Sequence, residues 1–336
     1  VQSGAEVNVS GLTLDGNGRD VWQGVRHLGS GSFDHVGFND ITHPGYQGTA
    51  IAAFGGANVD VTNSVFSEIG RIGVLYFGAD QTGTFQGNTY TGKGAGDQLD
   101  YALDISAGAD IDVIGNTVTQ NLGEASSDGS VSAAFLVSTF FGGGTEAEFS
   151  GNDVDGSSYG IFVGYDATDT STVTIGAGNT FDGLTEDGLR VVGNGVVSGA
   201  PGISGDSATV DWDGGDQANA IEGAALGDDL GGGDGNDVLT GNAGDDTFTG
   251  GAGTDTAVVL DAGGSPVTLA DFSFTSTASV AGDANGTLAR MGGDTETLAG
   301  IEVIEVENTG SATFLVFDGM SLQAAIDAAS AGDTIL

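Results

Sequence analysis

Between Gly223 and Val258 the chain repeats a nine-residue word that few folds can accommodate. The word runs glycine, glycine, any residue, glycine, any, aspartate, any, a large apolar residue, any. Gly232-Gly233-Asp234-Gly235-Asn236-Asp237-Val238-Leu239-Thr240 is complete. The next copy, Gly241 to Thr249, has Asn242 at the second glycine, and the third, Gly250 to Val258, has Ala257 at the apolar place. A leader, Gly223 to Gly231, keeps Asp228 and Leu230 but lacks the middle glycine. Each part has a physical task. Glycines let a tight turn expose its carbonyls, the aspartate adds a hard anionic oxygen, and the apolar residue anchors a two-residue strand. Turns stacked on this period would share each bound ion.

A second repeat, looser in length, fills the region before it. From Val7 onward a short alternating strand is followed by Asn or Asp, one residue, a hydrophobic residue and a polar or glycine-rich loop. The copies are Gly11-Leu12, Asp34-His35-Val36, Asn63-Ser64-Val65, Asn88-Thr89-Tyr90, Asn116-Thr117-Val118, Asn152-Asp153-Val154 and Asn179-Thr180-Phe181. Their spacing of ~23 to 36 residues is that of solenoid turns with loops of varying length. Val59, Val61, Ile111, Val113, Val173 and Ile175 read as inward positions, able to pile on their copies in neighbouring turns. The recurring asparagine reads as structural, its amide hydrogen-bonding the equivalent amides above and below.

Composition agrees with turn-dense, short-stranded architecture: the 336 residues include 63 glycines and three prolines. Forty-seven acidic side chains against six basic ones give a formal charge of -41. That balance argues against nucleic acid or an anionic membrane as partner, and for bound cations or a saline medium. There is no cysteine, so neither disulfides nor thiolate metal sites arise. No run of 18 apolar residues predicts a membrane span.

Residues 1 to 205 resemble the pectate-lyase-like right-handed parallel β-helix superfamily, through the asparagine series and the turn size. The nonapeptides resemble the RTX (repeats-in-toxin, hemolysin-type) family. That resemblance implies Ca2+ held by the side chains of Asp228, Asp237, Asp246 and Asp255. Carbonyls of turns containing Gly232, Gly233, Gly235, Gly241, Gly244, Gly250 and Gly253 would complete the shell. It also implies type I secretion to the extracellular space or cell surface. Asp294-Thr295-Glu296-Thr297-Leu298-Ala299-Gly300-Ile301-Glu302 resembles the segment that closes such blocks, and is expected to cap the roll.

Phe317 to Ala329 predicts a capped helix, with Ser321 as N-cap, Leu322, Ala325, Ile326 and Ala329 on one face, and Gly332 as its stop. With Thr334-Ile335-Leu336 it resembles the N-terminal cap and first strand of another β-helix, whereas residue 1 already lies inside the repeating pattern. The expected fold is all-β: a right-handed parallel β-helix over residues 1–205 without its N-terminal cap, and an RTX β-roll over 206–262. A β cap or linker over 263–316 follows, then the cap helix and first strand of a following β-helix over 317–336. The chain is thus expected to be a window of a longer tandem protein.

One stretch is chemically equipped for catalysis. His27, His35 and His43 lie close in sequence with Trp22, Arg26, Asp34 and Tyr46. A uronan lyase or C-5 epimerase needs a base, an acid and a cation for the sugar carboxylate, which His35, His43, Tyr46 and Arg26 could supply. The Tyr-Gly-x-Asp-Pro-His signature of secreted mannuronan epimerases is absent, and one lysine and five arginines offer little lining for an anionic glycan. Asp211-Trp212-Asp213 is a further candidate, for sugar stacking or calcium. The expected function is therefore a non-enzymatic, calcium-dependent structural protein or adhesin forming tandem arrays, filaments or a surface layer. Its expected partners are calcium ions, copies of itself or neighbouring modules head to tail, and cell-surface or matrix polysaccharide.

Overall fold

A computed structural model describes all residues except 45–47, 261–267, 278–282, 291–292, 308–311, 318–319 and 332. It divides the chain into two units, Val1–Arg190 with Gly195–Ala208, and Val191–Asn194 with Thr209–Leu336. Both are β-rich, with long sheets of parallel strands.

In the first unit, alternation of apolar and polar residues produces strands that return, turn after turn, to three parallel sheets. The first sheet begins with Glu6–Ser10, Ser30–Asp34, Val59–Thr62 and Thr82–Gln86, each pairing in parallel with the next. Its inward column, Phe33, Val61, Phe85, Val113, Phe149 and Ile175, is buried and in register. The second sheet stacks Phe38, Phe66, Tyr90, Val118, Val154 and Phe181 in the same way. The third stacks Ile51, Val74, Leu103, Phe135 and Ile161. Val59, Val61, Ile111, Val113, Val173 and Ile175, the inward positions expected of this repeat, are all buried. Each such side chain removed from water is worth about 1.5–3 kcal/mol, so the linear core has ample driving force. Rings need room, and Gly160 provides it: a Cβ there would sit 2.5 Å from the Phe181 ring.

The asparagine column forms a continuous ladder. Asn88 Nδ2 donates to Asn116 Oδ1 (3.1 Å), Asn116 Nδ2 to Asn152 Oδ1 (2.9 Å) and Asn152 Nδ2 to Asn179 Oδ1 (2.9 Å). The same carbonyl oxygens accept the backbone N–H of the preceding turn. Two turns depart from the sequence pattern: in Asp34-His35-Val36 it is Val36, not Asp34, that lies level with the ladder, its N–H donating to Ser64 Oγ. In the next turn the ladder place belongs to Ser64, not Asn63: Ser64 N–H donates to Asn88 Oδ1. Asn63 adopts a left-handed φ of 49° at the turn and donates to Asp34. Asparagine tolerates that conformation, so its side chain is used for the bend and the smaller hydroxyl continues the ladder.

The second unit is built on the nine-residue period. Successive copies alternate between two sheets, so two copies make one 18-residue turn. Val210–Gly214, Asp229–Asp234 and Thr247–Ala252 lie parallel in one sheet; Ala220–Glu222, Val238–Thr240 and Thr256–Leu260 lie parallel in the other. The apolar residues Leu230, Leu239, Phe248 and Ala257 are fully buried. Trp212, a sugar-stacking candidate by sequence, is buried and in register with Leu230, so its ring belongs to this core. Thr295–Ile301 and Val303–Glu307 continue the two sheets in parallel, and Ala284–Arg290 and Phe272–Ser276 add antiparallel strands to the first.

A helix forms at Leu322–Ala328, and the Ser321 hydroxyl accepts from Ala324 N–H. Ala325 packs with Val303 and Phe314 of the same unit, flanked by Ala324 and Ala329. Leu322 and Ile326, expected inward, are exposed. Two turns resting on an aromatic side chain approach most closely through alanines, which turns the larger residues out. Thr334–Ile335 pairs in parallel with Thr313–Leu315. The expected stop, Gly332, lies outside the described residues.

Candidate metal centre

The nonapeptide aspartates form two ladders of carboxylates. Asp246 Oδ1 accepts the backbone N–H of Asp228 and Asp255 Oδ1 that of Asp237, each at 2.9 Å and across 18 residues. Below them, Asp228 Oδ1 accepts from Val210 N–H and Asp237 Oδ1 from Asn219 N–H, both at 2.7 Å. One carboxylate oxygen of each aspartate thus holds the neighbouring turn.

The second oxygen differs between copies. In the leader, Asp228 Oδ2 accepts from Ala224 N–H at 2.6 Å. In Asp237 and Asp255 it is buried without a hydrogen-bond donor. An unsatisfied carboxylate oxygen in a dry place is costly. Burial accordingly pushes up the pKa values of Asp237 and Asp255, and that of Asp246 to about 6.

The glycines complete the arrangement by their missing side chains. A Cβ on Gly232 would lie 2.4 Å from Asp237 Oδ2 and 2.7 Å from the Gly250 carbonyl oxygen. One on Gly223 would lie 2.2 Å from Asp228 Oδ2 and 2.8 Å from the Gly241 carbonyl, and one on Gly241 would strike Asp246 Oδ2. Gly233, Gly235, Gly244 and Gly253 take positive φ, as does Asn242 at 70°. Among the described residues no three His, Cys, Asp or Glu side chains converge on one point. A cation here would therefore depend on backbone carbonyls beside one or two carboxylates. Such an all-oxygen donor set fits a hard divalent ion of calcium's kind.

Two glutamates missed by the sequence reading belong to the ladders. Glu296 Oε2 accepts from Asp246 N–H and Glu302 Oε2 from Asp255 N–H. Burial, reinforced by nearby acids, raises Glu296 to about 8 and Glu302 to about 7. Their only sequence signal was the closing segment in which they sit.

A pH dependence follows for the cation-free chain. With Glu296, Glu302 and Asp246 raised above their unfolded values near 4, the folded state binds more protons over that interval. Stability is then full below about pH 4 and is lost as pH rises through about 6 to 8. Thermal melts in chelator are expected to show a midpoint for the second unit that falls from pH 4 to 8, with a shallower fall in Glu296→Gln. A rising or flat midpoint would contradict this.

The catalytic candidates are dispersed in role. His27 is fully buried in register with Ala53, Nδ1 3.0 Å from the Gly29 carbonyl, and burial lowers its pKa. His35 is exposed, with Nδ1 2.8 Å from Asp34 Oδ2. Asp34, which also accepts from Asn63 and Thr62, is held down to about 2 by Asn63, His35 and Thr62. Arg26 lies 4.6 Å over the Phe54 ring and donates to Gln23. Tyr46 lies outside the described residues. Of the described catalytic candidates His35, His43 and Arg26, only His43 lines a groove of about 890 Å³, beside Asp20, Asp40, Glu68 and Lys93. Lys93 Nζ donates to the carbonyls of Gly70 and Leu99.

No family model, curated protein or solved structure matches this chain. Among the described residues no helix is long and apolar enough to cross a membrane.

Proposed function

We propose that this chain is an extracellular, calcium-dependent structural or adhesive module of a large secreted repeat protein. In this reading a pectate-lyase-like right-handed β-helix is joined to an RTX-type calcium roll. The observation that carries it is the pair of buried oxygens, Asp237 Oδ2 and Asp255 Oδ2, left without donors beside glycine cradles. Asp237, Asp246 and Asp255 would hold the ions with carbonyls such as that of Gly250. Asp228, whose Oδ2 already accepts from Ala224, contributes less. Bound calcium supplies positive charge where the acidic turns repel one another, so its binding free energy becomes folding free energy. In a chain of formal charge -41, the acidic turns of the second unit would stay unfolded where calcium is scarce during export by the type I route, and fold outside. Repeated units of this kind suit tandem arrays, filaments or a surface layer, with copies meeting head to tail.

Isothermal titration with calcium, followed by electron microscopy with and without chelator, tests this. Saturable binding below millimolar calcium and calcium-triggered filaments or sheets are expected. Absence of binding would overturn the calcium reading, and dispersed monomers under all conditions would overturn the assembly.

The His43 groove favours a second reading, a uronan lyase or epimerase. Asp20, Asp40 and Glu68 in its lining would repel a uronate, and Lys93 is held by carbonyls. Incubation with alginate and pectin in calcium is expected to yield neither unsaturated uronate absorbance nor altered uronate composition. Turnover lost in His43→Ala would reverse the order of the two.

A further inference from the structure

The carboxylate ladders do not stop at the last nonapeptide. Asp246 N–H donates to Glu296 Oε2 at 3.0 Å and Asp255 N–H to Glu302 Oε2 at 2.6 Å, the same bonds that join Asp228 to Asp246 and Asp237 to Asp255. The sequence separations are 50 and 47 residues in place of 18. Strand register agrees. Thr247 pairs with Thr297 and Thr256 with Val303, so each glutamate precedes its paired residue as each aspartate does. Gly300 also repeats the part of a nonapeptide glycine. A Cβ on Gly250 would lie 2.0 Å from the Gly300 carbonyl oxygen and 2.7 Å from Asp255 Oδ2, as one on Gly232 would meet the Gly250 carbonyl and Asp237 Oδ2. Asp255 is completely buried, and its Oδ2 points into this cradle with no donor.

We propose that Gly300 and Glu302 close a calcium site with Asp255, and that Glu296 extends the Asp246 ladder in the same way. The segment Thr295 to Glu307 then acts as the terminal turn of the roll and is pinned there by metal. This rests on the reading that the nonapeptides bind calcium. A strand arriving after an excursion of some thirty residues pays a loop-closure cost that an adjacent repeat does not. A shared cation supplies the missing coupling, and the longer glutamate side chain serves where the next aspartate would stand.

The test compares the full-length wild-type chain with Glu302→Gln and Glu296→Gln, with Glu124→Gln in the first unit as a control. Calcium titration calorimetry gives stoichiometry and affinity. Hydrogen exchange of the wild-type segments 256–260 and 303–307, followed against calcium, needs no variant. Glu302→Gln keeps an acceptor for Asp255 N–H, and is expected to bind one ion fewer or one ion at least tenfold more weakly. Protection of 303–307 is expected to rise at the same calcium concentration as that of 256–260. Unchanged stoichiometry and affinity in both glutamine variants would overturn the inference and leave the calcium reading standing. So would calcium-independent protection of 303–307 beside calcium-dependent protection of 256–260. A wild-type chain that binds no calcium would overturn both.

Discussion

Asp255→Asn is expected to stabilise the second unit in chelator and to destabilise it in calcium. The amide keeps the side-chain volume and the Oδ1 acceptor for Asp237 N–H, at 2.9 Å in the parent chain. It removes a charge from a fully buried place where Oδ2 has no donor. Without a cation, that charge costs desolvation, the largest of the causes that raise the pKa of Asp255. Its removal should raise the melting midpoint in chelator by several degrees. With a cation, the carboxylate becomes a ligand, and fewer charged ligands mean weaker calcium binding. The calcium concentration at half-folding is expected to rise by at least tenfold, or about 1.4 kcal/mol. Circular dichroism melts in chelator and calcium titrations of both chains measure the two effects. Destabilisation under both conditions would make Asp255 a hydrogen-bonding residue only.

Asn116→Ala should strongly destabilise the first unit. Asn116 Nδ2 donates to Asn152 Oδ1 and the Phe85 carbonyl, and its Oδ1 accepts from both nitrogens of Asn88. Truncation leaves the two Asn88 donors and the Phe85 carbonyl buried without their partner. At roughly 1–3 kcal/mol for each group left unsatisfied, the loss is on the order of 4 kcal/mol. Thr117→Ala, one residue along on the exposed face, is the control and should change stability by about 0.5 kcal/mol or less. Denaturant unfolding of the three chains decides it. A cost near that of the control would mean that the ladder is not what orders the turns.

Where the chain repeats itself in short range, sequence and structure agree. Leu230, Leu239, Phe248 and Ala257 are buried at the places the nonapeptide assigns them, and Val61, Val113 and Ile175 stack as the alternation predicts. These positions are fixed by period alone. Disagreement begins where a competing demand acts on the same residue. Asn63 had the right type for the ladder, but the bend needed a residue tolerant of positive φ, and Ser64 took the inward place. His27 had catalytic chemistry, yet its register in the third sheet buries it. Leu322 and Ile326 fell on the helix face that packing left outside. Glu296 and Glu302 were hidden for another reason. They continue a nine-residue pattern only after a long insertion, and with a different acid, so spacing could not reveal what the parallel register brings together.

Peptide-resolved hydrogen exchange of the intact chain, in chelator and in millimolar calcium, tests the central claim most directly. Peptides covering residues 229–260 and 295–307 are expected to be weakly protected in chelator at neutral pH and to become strongly protected in calcium. Peptides from the asparagine ladder, residues 85–118, should be protected in both. Equal protection of 229–260 with and without calcium would contradict a calcium-dependent roll.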